Sequence, residues 1–104
     1  MSKDINNEEF KQFVLNNKEE LVVVDFYANW CGPCRMLAPI ITDVCEQHNV
    51  KLYKVNTDEN EILAKQNGVL ALPTVMLFRN GEMVEKFVGF RPHEAIEELI
   101  KQYK

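Results

Sequence analysis

The run Leu21-Val-Val-Val-Asp-Phe-Tyr27 is β-branched and aromatic, and it is apolar on both parities. A strand with one wet face alternates apolar and polar residues. A run apolar on both faces belongs to a parallel sheet sandwiched between helix layers. The rest of the chain must then supply helices for two faces. Phe10, Phe13 and Val14 form an i, i+3, i+4 stripe, predicting a helix over about Asn7–Asn16. Asn6 with Glu9 makes an N-cap pair for it, and Ile5 is placed to staple onto Phe10. A second helix is expected over about Cys34–Gln47. It contains Pro39, which removes an amide and crowds the Arg35 carbonyl, so a kink is expected there.

Val50–Asn56 reads as a second strand. Asp58 with Glu61 reads as a capping pair for a short helix that Gly68 closes. Thr74–Arg79 and Glu82–Phe87 flank Asn80-Gly81, a dipeptide suited to the positive φ angles of a type I′ turn, so they form an antiparallel hairpin. Pro92 suits the first position of a last helix with core face Ala95, Ile96, Leu99, Ile100 and Tyr103. The fold class is therefore α/β, with a mixed central sheet between helices.

At 104 residues, the chain has the length of a single domain spanning residues 1–104. An apolar content of 46% and a net charge of −4 are those of a folded protein, not a disordered one. The acidic balance, with no Lys/Arg cluster longer than a pair, argues against nucleic acid as a ligand. The first residues have no apolar h-region, and purely apolar stretches such as Leu21–Val24 fall far short of a membrane span. A cytoplasmic protein without membrane contact is expected. Three cysteines are too few, and of the wrong parity, for a secreted disulfide framework, so their spacing carries the chemistry.

Trp30-Cys31-Gly32-Pro33-Cys34 follows the buried strand and opens a helix. In that setting C-x-x-C is a redox-motif candidate. Two cysteines three apart at a helix start can close a disulfide with little backbone movement, because the bond needs a Cα separation of only about 5–6 Å. Free amides and the positive end of the helix dipole stabilise a thiolate at the first position. Such sites hold the nucleophile near about pKa 7, against about 8.5 for a free thiol. Cys31 is expected to be ionised and exposed, and Cys34 shielded.

Cys31, Cys34, Cys45 and His48 also have the spacing of four zinc ligands. However, Cys34 and Cys45 on one helix would lie about 16 Å apart along its axis, too far for one ion. Cys45 then reads as a small core residue or an idle thiol. His48 reads as a helix-end surface residue. Asp25 interrupts the buried run; burial should raise its pKa and let it exchange protons near neutrality. Lys54, near the end of the second strand, is its candidate charge partner.

The stretch Val24-Asp25-Phe26-Tyr27-Ala28-Asn29-Trp30-Cys31-Gly32-Pro33-Cys34-Arg35-Met36-Leu37-Ala38-Pro39 resembles the active-site segment of the thioredoxin family. Leu72-Pro73-Thr74, Phe78-Arg79-Asn80-Gly81-Glu82 and Val88-Gly89 follow in the family's order and spacing. The likeness runs from about Phe10 to Tyr103. It implies a thioredoxin fold with a mixed sheet of four to five strands flanked by four helices. The implied activity is thiol–disulfide exchange that reduces disulfides in substrate proteins. Cys31 would be the nucleophile and Cys34 the resolving thiol, cycling through a Cys31–Cys34 disulfide. Asp25 would assist proton transfer beside Lys54, and Pro73 would be a cis-proline.

Trp30, Gly32, Pro33, Leu72, Thr74, Gly89 and Phe90 would form the substrate surface. The Gly-Pro pair between the cysteines points to a reductant. No cofactor is implied beyond the redox-active disulfide, and no G-x-G-x-x-G fingerprint is present. The implied partners are disulfide-containing proteins and a thioredoxin reductase using FAD and NADPH, with the chain acting as a monomer. Three features depart from the family pattern. Its first strand has no clear counterpart before Asn6 and should be short. Tyr27 stands where Trp is common, a minor change. Leu70-Ala71 and Phe90 make the surrounding loops bulkier and more apolar. A zinc-stapled module and a redox-independent binding subunit are the alternatives.

Overall fold

The strand β2, Val22–Tyr27, runs through the centre of a five-stranded sheet in a computed structural model that describes residues 2–104. The order across the sheet is β1-β3-β2-β4-β5, with β1 at Ser2–Asp4, β3 at Lys51–Asn56, β4 at Thr74–Arg79 and β5 at Glu82–Val88. β1 and β2 both run parallel to β3, whereas β4 runs antiparallel to β2 and to β5. The sheet is mixed, as expected.

Both faces of β2 are covered. Val22, Val24 and Phe26 pack with Ile5, Phe10, Val14 and Leu63. Val23 packs on the other side with Leu37, Ile41 and Val44 of α2 (Gly32–Gln47) and with Ile96 and Ile100 of α4 (His93–Tyr103). Burying such side chains stabilises by about 1.5–3 kcal/mol each, and here both parities contribute. β1 has only three residues, all exposed, so it leaves no burial periodicity to read.

Several boundaries differ from the sequence expectation. α1 begins at Asn7 with the full capping box: Glu9 N–H donates to the Asn6 side chain at 2.9 Å, and Asn6 N–H to the Glu9 carboxylate at 3.0 Å. Its regular part stops at Phe10. The helix then widens over Lys11–Leu15, where Asn16 N–H donates to the carbonyl of Lys11 at 3.0 Å, a five-residue step. α2 starts at Gly32 rather than Cys34, while its end at Gln47 and its continuation past Pro39 are as expected.

The short helix α3, Glu61–Gln66, is capped by Asn60 without a side-chain bond, so Asp58 and Glu61 are not its capping pair. Asp58 instead accepts a bond from Trp30, and a carboxylate used there is unavailable to the helix. Pro92 is the cap residue of α4 rather than its first helical residue. The Asn80-Gly81 turn has φ values of 55° and 77°, as a type I′ hairpin requires.

Candidate active site

The end of β2 delivers the chain through a short loop to the start of α2. Cys31 caps this helix with extended backbone (φ −86°, ψ 112°), and its sulfur accepts the Cys34 N–H at 3.2 Å. Gly32 and Pro33 fill the first turn, where a missing proline amide leaves nothing unsatisfied. Cys31 and Cys34 are joined by a disulfide with their Cα atoms 5.2 Å apart. The expected contrast in exposure is absent in this bonded form: Cys31 is 5% and Cys34 3% exposed. Both pack with Ala28, with Tyr27 and Leu72 against them, so in the closed ring the two sulfurs share one enclosure.

Asp25 is fully buried on β2, and neither carboxylate oxygen has a hydrogen-bond partner among the described residues. Loss of hydration raises its pKa from 3.8 to about 6, opposed by the positive charge of Lys54. Lys54 stands opposite Asp25 in the β2–β3 register, with Nζ 3.9 Å from Oδ2. The two residues proposed to act together are thus brought together.

The Leu72–Pro73 peptide is cis, and Gly89 N–H donates to the Pro73 carbonyl at 2.9 Å. This bond joins the loop before β4 to the end of β5. Beside the disulfide lies a groove of about 480 Å³, bordered by Trp30, Gly32, Pro33, Leu70 and Leu72. Trp30 is exposed over most of its surface, and its indole N–H donates to Asp58 at 2.9 Å, which fixes the ring's orientation. Phe90 is 41% exposed, and Gly89 adopts φ 91°.

Thr74 departs from its expected place on the surface. It is buried, and its hydroxyl donates to the Ala71 carbonyl at 2.6 Å, so it shapes the loop from within. Sequence reasoning left out three groove residues, Thr57, Ala64 and Val69, along with Asp58 as the anchor of Trp30. It noted Leu70 only as a bulky loop residue. Leu70 is 98% exposed, and no periodic pattern could mark it, because it lies in a loop.

Cys45 is buried in the core between α2 and the sheet, and burial pushes its thiol up to about 12. His48 is not a free surface residue: it caps the end of α2 and its ring lies 2.9 Å from Glu97 of α4. Hydrogen bonding to His48 holds the Glu97 carboxyl below its usual range. Among the described residues, no group of three or more His, Cys, Asp or Glu could hold a metal. The zinc alternative finds no support, since Cys31 and Cys34 are bonded to each other and Cys45 and His48 lie at the far end of α2.

The thioredoxin family model matches residues 1–102. This chain belongs to the thioredoxin family. It is 39% identical over 105 residues to the thioredoxin of Listeria monocytogenes, covering 99% of each chain. It is 40% identical to the chloroplastic M-type thioredoxin of Spinacia oleracea, covering 96% of this chain and 56% of that one. The X-ray structure of Fasciola hepatica thioredoxin superposes with a TM-score of 0.89 at 33% identity, over 100% of both chains. The fold is the thioredoxin fold. The chain is a thiol–disulfide oxidoreductase, a protein-disulfide reductase whose redox group is its own Cys31–Cys34 disulfide.

Proposed function

We propose that this thioredoxin acts as a single-domain, monomeric, cytoplasmic carrier of electrons to substrate proteins, with named side chains in the following roles. The Cys31 thiolate attacks a substrate disulfide, forming a Cys31–substrate disulfide and expelling the other substrate sulfur as a thiolate, which takes up a proton. Cys34 gives its proton to the Asp25 carboxylate and attacks the Cys31 sulfur. The substrate leaves with both sulfurs reduced, and Cys31–Cys34 holds the two-electron oxidation. A thioredoxin reductase returns two electrons from NADPH through FAD.

The observation that carries this reading is the Cys34 amide aimed at the Cys31 sulfur from the first turn of α2. That donor and the helix dipole favour a negative sulfur at this position over a neutral one. Asp25, with a pKa of about 6, is mostly ionised at pH 7 yet close enough to neutrality to take and return a proton. Lys54 supports its ionised form. Pro73 shapes the loop on which an extended substrate segment would lie by strand-like pairing. Trp30, Gly32, Pro33, Leu72, Gly89 and Phe90 offer it contact area, and Thr74 holds the loop from beneath. Spinacia oleracea has a chloroplastic relative, so location is tested by fractionating cells of the source organism.

The decisive assay mixes the protein with NADPH, a thioredoxin reductase and a disulfide-bonded protein, and follows NADPH consumption. Turnover is expected, with none for Cys31→Ser. Cys34→Ser is expected to accumulate a mixed disulfide visible as a mass adduct, because attack proceeds and release does not. Equal turnover by Cys31→Ser, or no adduct with Cys34→Ser, would overturn the assignment of the two thiols.

A further inference from the structure

Asp4, Lys54 and Asp25 lie in one row across three neighbouring strands. Asp4 of β1 is opposite Lys54 of β3, which is opposite Asp25 of β2. The Lys54 ammonium therefore stands between two carboxylates. Side chains alternate along a strand, so the row shares one face of the sheet. Tyr27, two residues beyond Asp25, belongs to the same face. Its ring crosses the row: Lys54 Nζ sits 4.7 Å from the ring centroid, and the phenolic O–H donates to Asp4 Oδ1 at 2.5 Å. Lys54 is thus faced by Asp25 at 3.9 Å and roofed by an aromatic surface that attracts a cation.

We propose that Tyr27 is a positioning residue for Asp25, its hydroxyl engaging Asp4 so that Lys54 is left to face the buried carboxylate. Both carboxylates compete for one cation. Asp25 is buried and has no hydrogen-bond donor among the described residues, and Lys54 is the cation that faces it across the β2–β3 register. Asp4 is exposed and can be satisfied by water or by the phenol. A short bond from a hydroxyl to a carboxylate is among the stronger hydrogen bonds. It occupies Asp4 and holds the roof down over Lys54, while burial and the Asp4 carboxylate push the Tyr27 hydroxyl up to about 12, so it remains a donor at neutral pH.

Among the described residues, the groups facing Asp25 are few. β1 brings Asp4, β3 brings Lys54 and its own strand brings Tyr27. α2 brings Cys45, and β4 contributes the uncharged Val75. Removal of the phenol hydroxyl frees Asp4 to draw Lys54 away, and the protonated form of Asp25 gains. Removal of the Asp4 charge does the opposite. The inference rests on Asp25 exchanging protons with Cys34, but its test does not.

The test is a carboxyl carbon NMR titration of Asp25 in the oxidised protein, made on wild type, Tyr27→Phe, Asp4→Asn and the double variant. Tyr27→Phe keeps the ring and is expected to raise the Asp25 midpoint by up to about one pH unit, the low end for weakening an opposite charge. Asp4→Asn is expected to lower it. In the Asp4→Asn background, Tyr27→Phe is expected to move nothing, a coupling that general loosening of the fold would not produce. An unmoved midpoint in Tyr27→Phe, or the same rise in both backgrounds, would overturn the proposal. The pH profile of mixed-disulfide release, measured in parallel, should move alkaline in Tyr27→Phe. If Asp25→Asn leaves that profile unchanged while the NMR coupling holds, the proton-transfer role of Asp25 falls and the positioning by Tyr27 stands.

Discussion

Replacing Asp25 by Ala should stabilise the protein, and the gain should depend on pH in a way set by burial. The carboxyl titrates at 3.8 in an unfolded chain and at about 6 in the folded one. The folded state therefore holds its proton more tightly, and Asp25 opposes folding once it is ionised. At about 1.4 kcal/mol per pH unit, the ionised group costs the folded state about 3 kcal/mol. The sign follows from proton counting. Below pH 3.8 the group is protonated in both states and costs nothing. Between 3.8 and about 6 the folded state binds more protons, so stability falls as pH rises. Above about 6 the full cost is present.

Denaturant unfolding of oxidised wild type and Asp25→Ala, at intervals from pH 4 to pH 8, reads this directly. The stability difference should grow with a slope of about 1.4 kcal/mol per pH unit up to about pH 6, then level off. The missing side-chain volume adds an offset that does not follow the Asp25 titration, whereas the attraction of Lys54 is already contained in the folded-state value, so the curvature is the signal. A difference that stays flat from pH 4 to pH 8 would refute the reasoning and show Asp25 to be hydrated.

Two further outcomes test the packing around the site's supports. Gly81→Ala should destabilise by more than about 1 kcal/mol in the same unfolding assay, since its Cβ would meet the Leu15 carbonyl oxygen at 2.4 Å and φ is +77°. Cys45, with its thiol near 12, should resist iodoacetamide at pH 8 in the folded oxidised protein and react once denaturant is added; rapid labelling without denaturant would contradict its burial.

Much of this was legible in the sequence because burial leaves a period. The two-sided run of β2, the stripe of Phe10 and Val14, and the Asn80-Gly81 turn each have a local cause, and each appears in the structure. The cysteine motif was legible for the same reason, being short and fixed to a helix start. What sequence could not carry were choices made between distant residues. Asp58 has the spacing of a cap for α3, but its carboxylate is taken by the Trp30 indole across the loop. Thr74 looks like a surface residue of the substrate loop, yet its hydroxyl turns inward to Ala71. The tie between Tyr27 and Asp4 spans two strand spacings, a separation in space that no local pattern reveals.

The sheet's margins have a consequence for a protein-disulfide reductase, whose substrates are other protein chains. β1 is three residues long, and β5, the other edge strand, sets Glu82, Glu85 and Lys86 among its exposed Met83, Val84 and Val88. A brief border and a charged one both discourage side-by-side annealing with a visitor's backbone.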